Sequence, residues 1–154
     1  MTGKVDHAAA RAAFERALAE DAREFGNFFL SRFLGLAVTY PDDDTCVVEL
    51  DVHDYMFNPQ GSLHGGVIAT VLDISMGHLL NRRVGTGMTL QMETKFLRPA
   101  RAGRIRAEGR FLKKGRSINY LETRLTDAGG ALLAVANSTW QLLGAAGPDG
   151  APRS

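Results

Sequence analysis

The most apolar stretch of the chain predicts a helix over residues 64–81. Its large apolar side chains are Val67, Ile68, Val71, Leu72, Ile74, Met76, Leu79 and Leu80. At about 100° per residue they cover most of the circumference, which is typical of a helix buried on nearly all sides. The exception is a narrow stripe of small and polar residues, made up of Gly66, Thr70, Asp73 and Gly77. Small residues at this spacing allow a ligand or another backbone to come close, and we expect Asp73 to lie in that groove.

Alternating apolar and polar residues predict strands on both sides of this helix. Before it, residues 45–53 alternate, and residues 35–40 are expected to pair with them across a turn. After it, the same pattern predicts four strands, over residues 88–96, 104–111, 117–126 and 131–143. Short links join these strands in chain order, so successive strands are expected to pair antiparallel. In the first of the four, Leu90 and Met92 are expected on one face and Thr89 on the other.

The chain ends are predicted to lie outside the main domain. The predicted divisions are residues 1–33, 34–143 and 144–154. The first is an amphipathic helix that begins near His7 and packs on the domain, with Phe14 and Leu18 on its apolar side. The last is rich in Gly and Pro and is expected to be disordered. The middle division is expected to be an α+β domain, in which a curved antiparallel sheet wraps around the long apolar helix. A partner subunit is the simplest cover for the second side of that helix.

Composition narrows the class of protein. With 45% apolar and 23% charged residues, the chain is typical of a soluble globular protein. A formal net charge of +1, without a basic stripe, gives no footprint for nucleic acid. The lone Cys46 excludes an internal disulfide and fits a reducing compartment. The charged N-terminus is unlike a signal peptide and no stretch is apolar enough to span a membrane, so we expect a cytoplasmic protein.

Asp73 is the main candidate for chemistry, because it is the only formally charged residue between Asp54 and Arg82. Burying a carboxylate without a partner is costly, so a chain that keeps one there pairs it or uses it. Used, it is a general base or a nucleophile. No grouping of His, Cys and acidic residues has the spacing of a metal site.

The start of the helix supplies the complementary groups. At His64-Gly65-Gly66, free backbone N–H groups and the helix dipole suit the oxygen of an acyl carbonyl. Asn58 adds a neutral donor and acceptor able to orient water, and His64 is interpreted as orienting the loop. Gly65 and Asp73 lie eight residues apart, roughly 12 Å along one helix axis, so they cannot both reach one carbonyl. If two copies of the helix run antiparallel, Gly65 of one faces Asp73 of the other. We therefore predict a site shared between subunits.

These residues resemble a known family, the hotdog-fold acyl-CoA thioesterases, specifically the group that includes the phenylacetate-degradation enzyme. The matching segments are Asn58-Pro-Gln-Gly-Ser-Leu-His-Gly-Gly66, Asp73 and Phe96-Leu-Arg-Pro-Ala100, within about residues 30–143. The resemblance implies a hotdog fold and thioester hydrolysis of an acyl-CoA, with no metal and with coenzyme A as part of the substrate rather than a cofactor. It implies that Asp73 attacks or activates water, that the Gly65 amide polarises the carbonyl, and that Asn58 and Thr89 assist. It also implies a homodimer, commonly a dimer of dimers.

Two alternatives stay open beside this interpretation. One is an enoyl-thioester hydratase or dehydratase on the same fold, and the other is a non-catalytic acyl-CoA-binding protein. Basic residues in loops are candidates to meet the phosphates of CoA, namely Arg82, Arg83, Lys113, Lys114 and Arg116. The acyl group is not readable from the sequence, and neither is the choice between nucleophile and general base for Asp73.

Overall fold

A computed structural model of the protein describes residues 4–143, and the tail predicted to be disordered lies outside them. The helices are α1 (His7–Glu20), α2 (Phe29–Leu34) and α3 (Gly65–Arg83), with a short 3-10 turn at Asp54–Met56. The strands are β1 (Ala37–Asp42), β2 (Thr45–Asp51), β3 (Gly87–Phe96), β4 (Arg104–Lys113), β5 (Ile118–Asp127) and β6 (Leu132–Leu142). The predicted long helix and the predicted strands are all present, with ends that move by one or two residues.

The six strands form one antiparallel sheet in the order β1-β2-β4-β5-β6-β3. Helix α3 contacts β2, β3, β4, β5 and β6. A helix touches strands near both edges of a sheet only if the sheet curls around it, so the predicted wrapped architecture is confirmed. The core lies between them and contains Leu72, Met76, Leu79, Leu121 and Leu125, each without exposed area. No helix among residues 4–143 is long and apolar enough to cross a membrane.

The neighbour predicted for β3 was wrong. It pairs with β6 at the edge of the sheet, whereas β4 lies between β2 and β5. The link between β3 and β4 crosses the ends of the intervening strands, and its Leu97 N–H donates to Leu133 O at 2.8 Å. Three strand spacings amount to about 14 Å, and the link, residues 97–103, reaches about 24 Å when extended. The link is therefore long enough for the crossing.

The predicted faces of β3 were also wrong at its start, because the strand contains a β-bulge. The register passes from Thr89 opposite Trp140 to Gln91 opposite Thr139, which leaves Leu90 as the extra residue. A bulge reverses the alternation of side chains along a strand. Thr89 therefore faces α3, together with Met92, whereas Leu90 is 49% exposed.

The single N-terminal helix predicted from the sequence is two helices. α1 ends at Glu20, and residues 21–28 turn the chain, with Gly26 at φ +84°, before α2 begins. The apolar side of α1 also differs from the prediction, because Ala13 and Ala17 are buried whereas Phe14 and Leu18 are 48% and 58% exposed. Alanines allow α1 to lie close against its neighbour α2, whereas Phe14 lies at the margin of this contact, with its ring edge-to-face against Phe29 at a centroid distance of 5.6 Å.

Candidate active site

Helix α3 begins with one backbone N–H taken and one available. His64 is the N-cap, and its Nδ1 accepts a hydrogen bond from Gly66 N–H at 2.9 Å. This agrees with the interpretation of His64 as an orienting group, and it places the hydrogen of a neutral imidazole on Nε2. Gly65 N–H has no hydrogen-bond partner among residues 4–143. The first turn of a helix presents such donors at the positive end of its dipole, so Gly65 offers the free N–H of this end.

A cleft of about 310 Å³ opens at this glycine. It is lined by Asn58, Ser62, Leu63, Gly65, Ile68, Phe96, Leu97, Arg98 and Pro99. The ring of Phe96 lies over the glycine, with Cε1 3.4 Å from where a Cβ on Gly65 would stand. Sequence reasoning did not assign Phe96 and Arg98 to the site. The segment from Phe96 to Ala100 is one of those that resemble the family, and that resemblance was the sequence signal that could have indicated these two residues.

Asn58 lies in the same cleft but is engaged in its own loop. Its Oδ1 accepts hydrogen bonds from Gln60 N–H and Ser62 N–H, each at 3.1 Å. Its Nδ2 donates to the Ser62 hydroxyl at 3.1 Å. The amide oxygen is thus used to shape the loop, and the second hydrogen on Nδ2 is the group left to meet a water or a substrate.

Asp73 lies midway along α3 and is half-buried. Thr89, turned inward by the bulge in β3, donates its hydroxyl hydrogen to Asp73 Oδ1 at 2.7 Å. No Lys or Arg among residues 4–143 forms a salt bridge with this carboxylate. Burial raises the pKa of Asp73 above its ordinary value, and the Thr89 hydrogen bond opposes that rise. A carboxylate with a raised pKa and one free oxygen suits a general base or a nucleophile.

The stripe of small residues on α3 is only partly a groove. Gly77 is filled by the chain itself, because a Cβ there would lie 2.9 Å from Cη2 of Trp140. The other end stays open, since Gly66 is exposed and Thr70 and Asp73 are half-buried. Thus α3 has an uncovered side that runs from the free amide to the carboxylate.

The basic residues are not gathered around this site within one chain. Arg82 lies over the Tyr40 ring at 4.3 Å, and Arg83 Nε is 3.5 Å from Asp44 Oδ1. Lys114 also pairs with Asp44. Lys113 and Arg116 are exposed. Because α3 is 19 residues long, its C-terminal arginines lie roughly 26 Å along the axis from Gly65. Within residues 4–143, no group of three His, Cys, Asp or Glu side chains is arranged to hold a metal ion.

A six-stranded antiparallel sheet curled around one long helix is the architecture of a hotdog fold. Comparison with known proteins agrees. A family model described as the thioesterase superfamily matches residues 60–134. A putative esterase of Saccharolobus solfataricus is 32% identical over 115 residues, which cover 73% of this chain and 81% of that protein. Human acyl-coenzyme A thioesterase 13 is 31% identical over 100 residues, covering 62% of this chain and 71% of that protein.

Solved structures confirm the fold. The Escherichia coli PaaI protein from the phenylacetic acid degradation operon superposes with a TM-score of 0.75 at 20% identity, covering 89% of this chain and 97% of that one. A Streptococcus mutans protein bound to acetyl CoA superposes with a TM-score of 0.69 at 22% identity, covering 71% and 90%. The chain belongs to the thioesterase superfamily, which confirms the predicted class of enzyme.

Proposed function

We propose that the protein is an acyl-CoA thioesterase in which Asp73 drives hydrolysis and the Gly65 amide polarises the thioester carbonyl. The observation that carries this proposal is Asp73 itself. It is a half-buried acid that forms no salt bridge within residues 4–143, is held by the Thr89 hydroxyl at 2.7 Å, and lies on the uncovered side of α3. The name of the human relative supports an acyl-CoA substrate, as does the acetyl CoA bound in the Streptococcus mutans structure.

The chemistry can follow either of two routes. As a general base, Asp73 removes a proton from water, and the hydroxide adds to the carbonyl carbon. As a nucleophile, its carboxylate adds directly, and water then hydrolyses the mixed anhydride. In both routes negative charge develops on the carbonyl oxygen beside Gly65 N–H, the C–S bond breaks, and the CoA thiolate takes up a proton. Asn58, through its remaining Nδ2 hydrogen, is proposed to hold the water.

We propose that two copies of the chain build each site. Gly65 and Asp73 are roughly 12 Å apart along α3, so one carbonyl needs the amide of one copy and the acid of the other. Two features support a twofold pairing at this place. The open side of α3 lacks cover, and strand β3, which contacts α3, lies at the edge of the sheet and leaves Met88, Leu90 and Phe96 each about half exposed. Pairing of two dimers, as the family resemblance implies, is also proposed.

The same antiparallel pairing bears on the CoA phosphates. If Gly65 lies opposite the partner's Asp73, the partner's Arg82 falls roughly 13 Å beyond Gly65 along the helix axis. If the acyl group lies between Gly65 and the partner's Asp73, and the rest of CoA extends past Gly65, the arginine side chain lies on the side of the phosphates. We therefore propose Arg82 and Arg83 as phosphate contacts across the pair, with Lys113, Lys114 and Arg116 as further candidates. No cofactor is required, since CoA enters as substrate.

The test of the reaction follows free thiol during incubation with a panel of acyl-CoA thioesters. Wild-type protein should release thiol, and Asp73→Asn and Asp73→Ala should abolish release. Asp21→Asn is the matched control, because Asp21 is exposed and lies after α1. Hydration of an enoyl-CoA without thiol release would support the hydratase alternative, and saturable binding with neither reaction would support the binding protein.

The shared site is tested by mixing two inactive variants. In a homodimer, Asp73→Asn removes the acid from both sites, and Gly65→Pro removes the amide donor from both sites. A mixed dimer rebuilds one of its two sites, so a random 1:1 mixture should recover about one quarter of wild-type activity. If both groups acted within one chain, the mixture would stay inactive.

A further inference from the structure

A second cleft lies near the other end of α3, away from Gly65. It has a volume of about 280 Å³ and lies between α3, β1 and the segment of residues 21–32. Phe25, Asn27, Arg32, Val38, Tyr40 and His78 form its walls. It shares no residue with the cleft at Gly65, and the proposed hydrolysis uses none of its side chains.

His78 brings an unused donor to this cleft. The residue is 4% exposed, and its Nδ1 lies 3.0 Å from the Tyr40 hydroxyl. Nε2 is buried and has no hydrogen-bond partner among residues 4–143. Burial lowers the pKa of His78 to about 4, so the ring is neutral near pH 7. The Arg82 guanidinium, 4.3 Å from the Tyr40 ring centre, favours the phenol as the donor to Nδ1. The ring hydrogen then stands on Nε2.

Arg32 brings a second unused donor. Its Nη2 donates to Gly26 O at 2.6 Å and to Leu36 O at 3.4 Å, which fixes the guanidinium. Its Nε is buried and has no partner among residues 4–143. Gly26 contacts both residues. Its carbonyl oxygen accepts from Arg32 Nη2, and His78 Cε1 lies 3.6 Å from where a Cβ on Gly26 would stand. A buried N–H without an acceptor is costly, and here two of them belong to one cleft.

We propose that this cleft is a second binding site, which takes a small carboxylate whose oxygens accept from Arg32 Nε–H and His78 Nε2–H. Two donors, one of them cationic, favour a carboxylate over a neutral ligand. Glu20 is the nearby acid, and it stands 3.9 Å from Arg32 Nη1, on a different nitrogen from the free Nε. Phe25 and Val38 supply apolar contact for the rest of the ligand.

Phe25 is the part of the wall that has to move. Its ring meets the His78 imidazole edge to face at a centroid distance of 5.3 Å, and the residue is 47% exposed. Turning this exposed ring outward uncovers the imidazole without disturbing the core. The volume of the cleft is enough for a ligand the size of benzoate, which is the probe we choose.

The experiment follows the four histidine rings of the full chain by NMR during titration with sodium benzoate at pH 7. The His78 ring resonances should shift and saturate at millimolar ligand. Arg32→Gln should weaken binding about tenfold or more, because a charged hydrogen bond is lost. Arg23→Gln is the matched control, since Arg23 is exposed on the same segment outside the cleft, and it should bind as wild type. Arg32→Lys keeps the charge without the Nε donor and serves if the glutamine variant fails to fold.

Several results would overturn the proposal. A folded wild-type protein that shows no saturable shift at His78 would mean that water suffices for both donors. Benzoate binding that shifts the Gly65 amide and leaves His78 unchanged would assign the ligand to the thioesterase site. Unweakened binding in both Arg32 variants would remove the guanidinium from the site. Inorganic phosphate binding as tightly as benzoate would rule out a carboxylate site.

Discussion

Gly65→Pro removes the backbone N–H of the proposed site, adds the three carbons of the proline ring, and leaves the helix able to form. Gly65 is the first residue of α3, a position where proline is favoured because its missing N–H has no partner inside the helix. The preceding residue, His64, has φ −62° and ψ 135°, which is the extended conformation that proline requires before it. The capping bond from Gly66 N–H to His64 Nδ1 does not involve the substituted nitrogen. The substitution therefore tests the backbone donor without disturbing the cap of the helix.

The expected loss is set by the value of one such donor to the developing negative charge. Removing a donor of this kind costs about 10²–10³ in kcat, equivalent to about 3 kcal/mol. Gly65→Ala is the control, because it adds a Cβ and keeps the N–H. That Cβ would lie 3.4 Å from Phe96 Cε1, and Phe96 is 55% exposed and able to give way. The alanine variant should keep kcat within about threefold of wild type, because it loses no hydrogen bond.

The assay is kcat and KM for thiol release by wild type, Gly65→Ala and Gly65→Pro, with thermal unfolding as the check on folding. A folded proline variant with wild-type kcat would refute the role of the Gly65 amide. Equal losses in both variants would show that the bulk added beside Phe96 matters and the hydrogen does not.

Two further predictions concern titrating groups. Burial raises the pKa of Asp73 and the Thr89 hydroxyl opposes the rise, so Thr89→Val should raise that pKa further and move the acid limb of the kcat/KM profile to higher pH. Thr89→Ser should keep the limb in place, and an unmoved limb in the valine variant would contradict the coupling. The second group is His78, whose pKa falls from 6.5 to about 4 on folding, so the unfolded chain binds more protons between these values and stability is lost as pH falls below 6.5. At pH 5 the free energy of unfolding should be lower by about 2 kcal/mol than at pH 7 from this residue alone. Urea unfolding of His78→Gln should lack that part of the dependence, whereas exposed His53→Gln should retain it.

The parts of the candidate site that the sequence could predict are those that depend on local features. The apolar run of α3 set its length, and the isolation of Asp73 among uncharged residues marked it before any fold was known. The glycines at the start of α3 marked the free amide in the same way. These inferences use neighbours within a few residues, where helix geometry is regular.

The parts that were missed depend on contacts distant in sequence. The place of β3 beside β6 could not be inferred from a short link, because that link runs across the sheet end instead of turning back. The β-bulge at Leu90 cannot be recognised from the amino-acid pattern of β3, and it determines the face of the sheet on which Thr89 lies. For α1, a helical pattern of Phe14 and Leu18 suggested a buried side, whereas Ala13 and Ala17 are the residues that pack.

The bulge at Leu90 has a consequence for how this enzyme can vary. It divides β3 into two stretches, residues 87–89 and 91–96, whose inward-facing positions are set separately, and the first stretch holds Thr89 against the acid. Changes in residues 91–96 can therefore accumulate without rotating the Thr89 hydroxyl away from the Asp73 carboxylate. The edge of the sheet can in this way change what it contacts while Asp73 keeps the same hydrogen-bond donor.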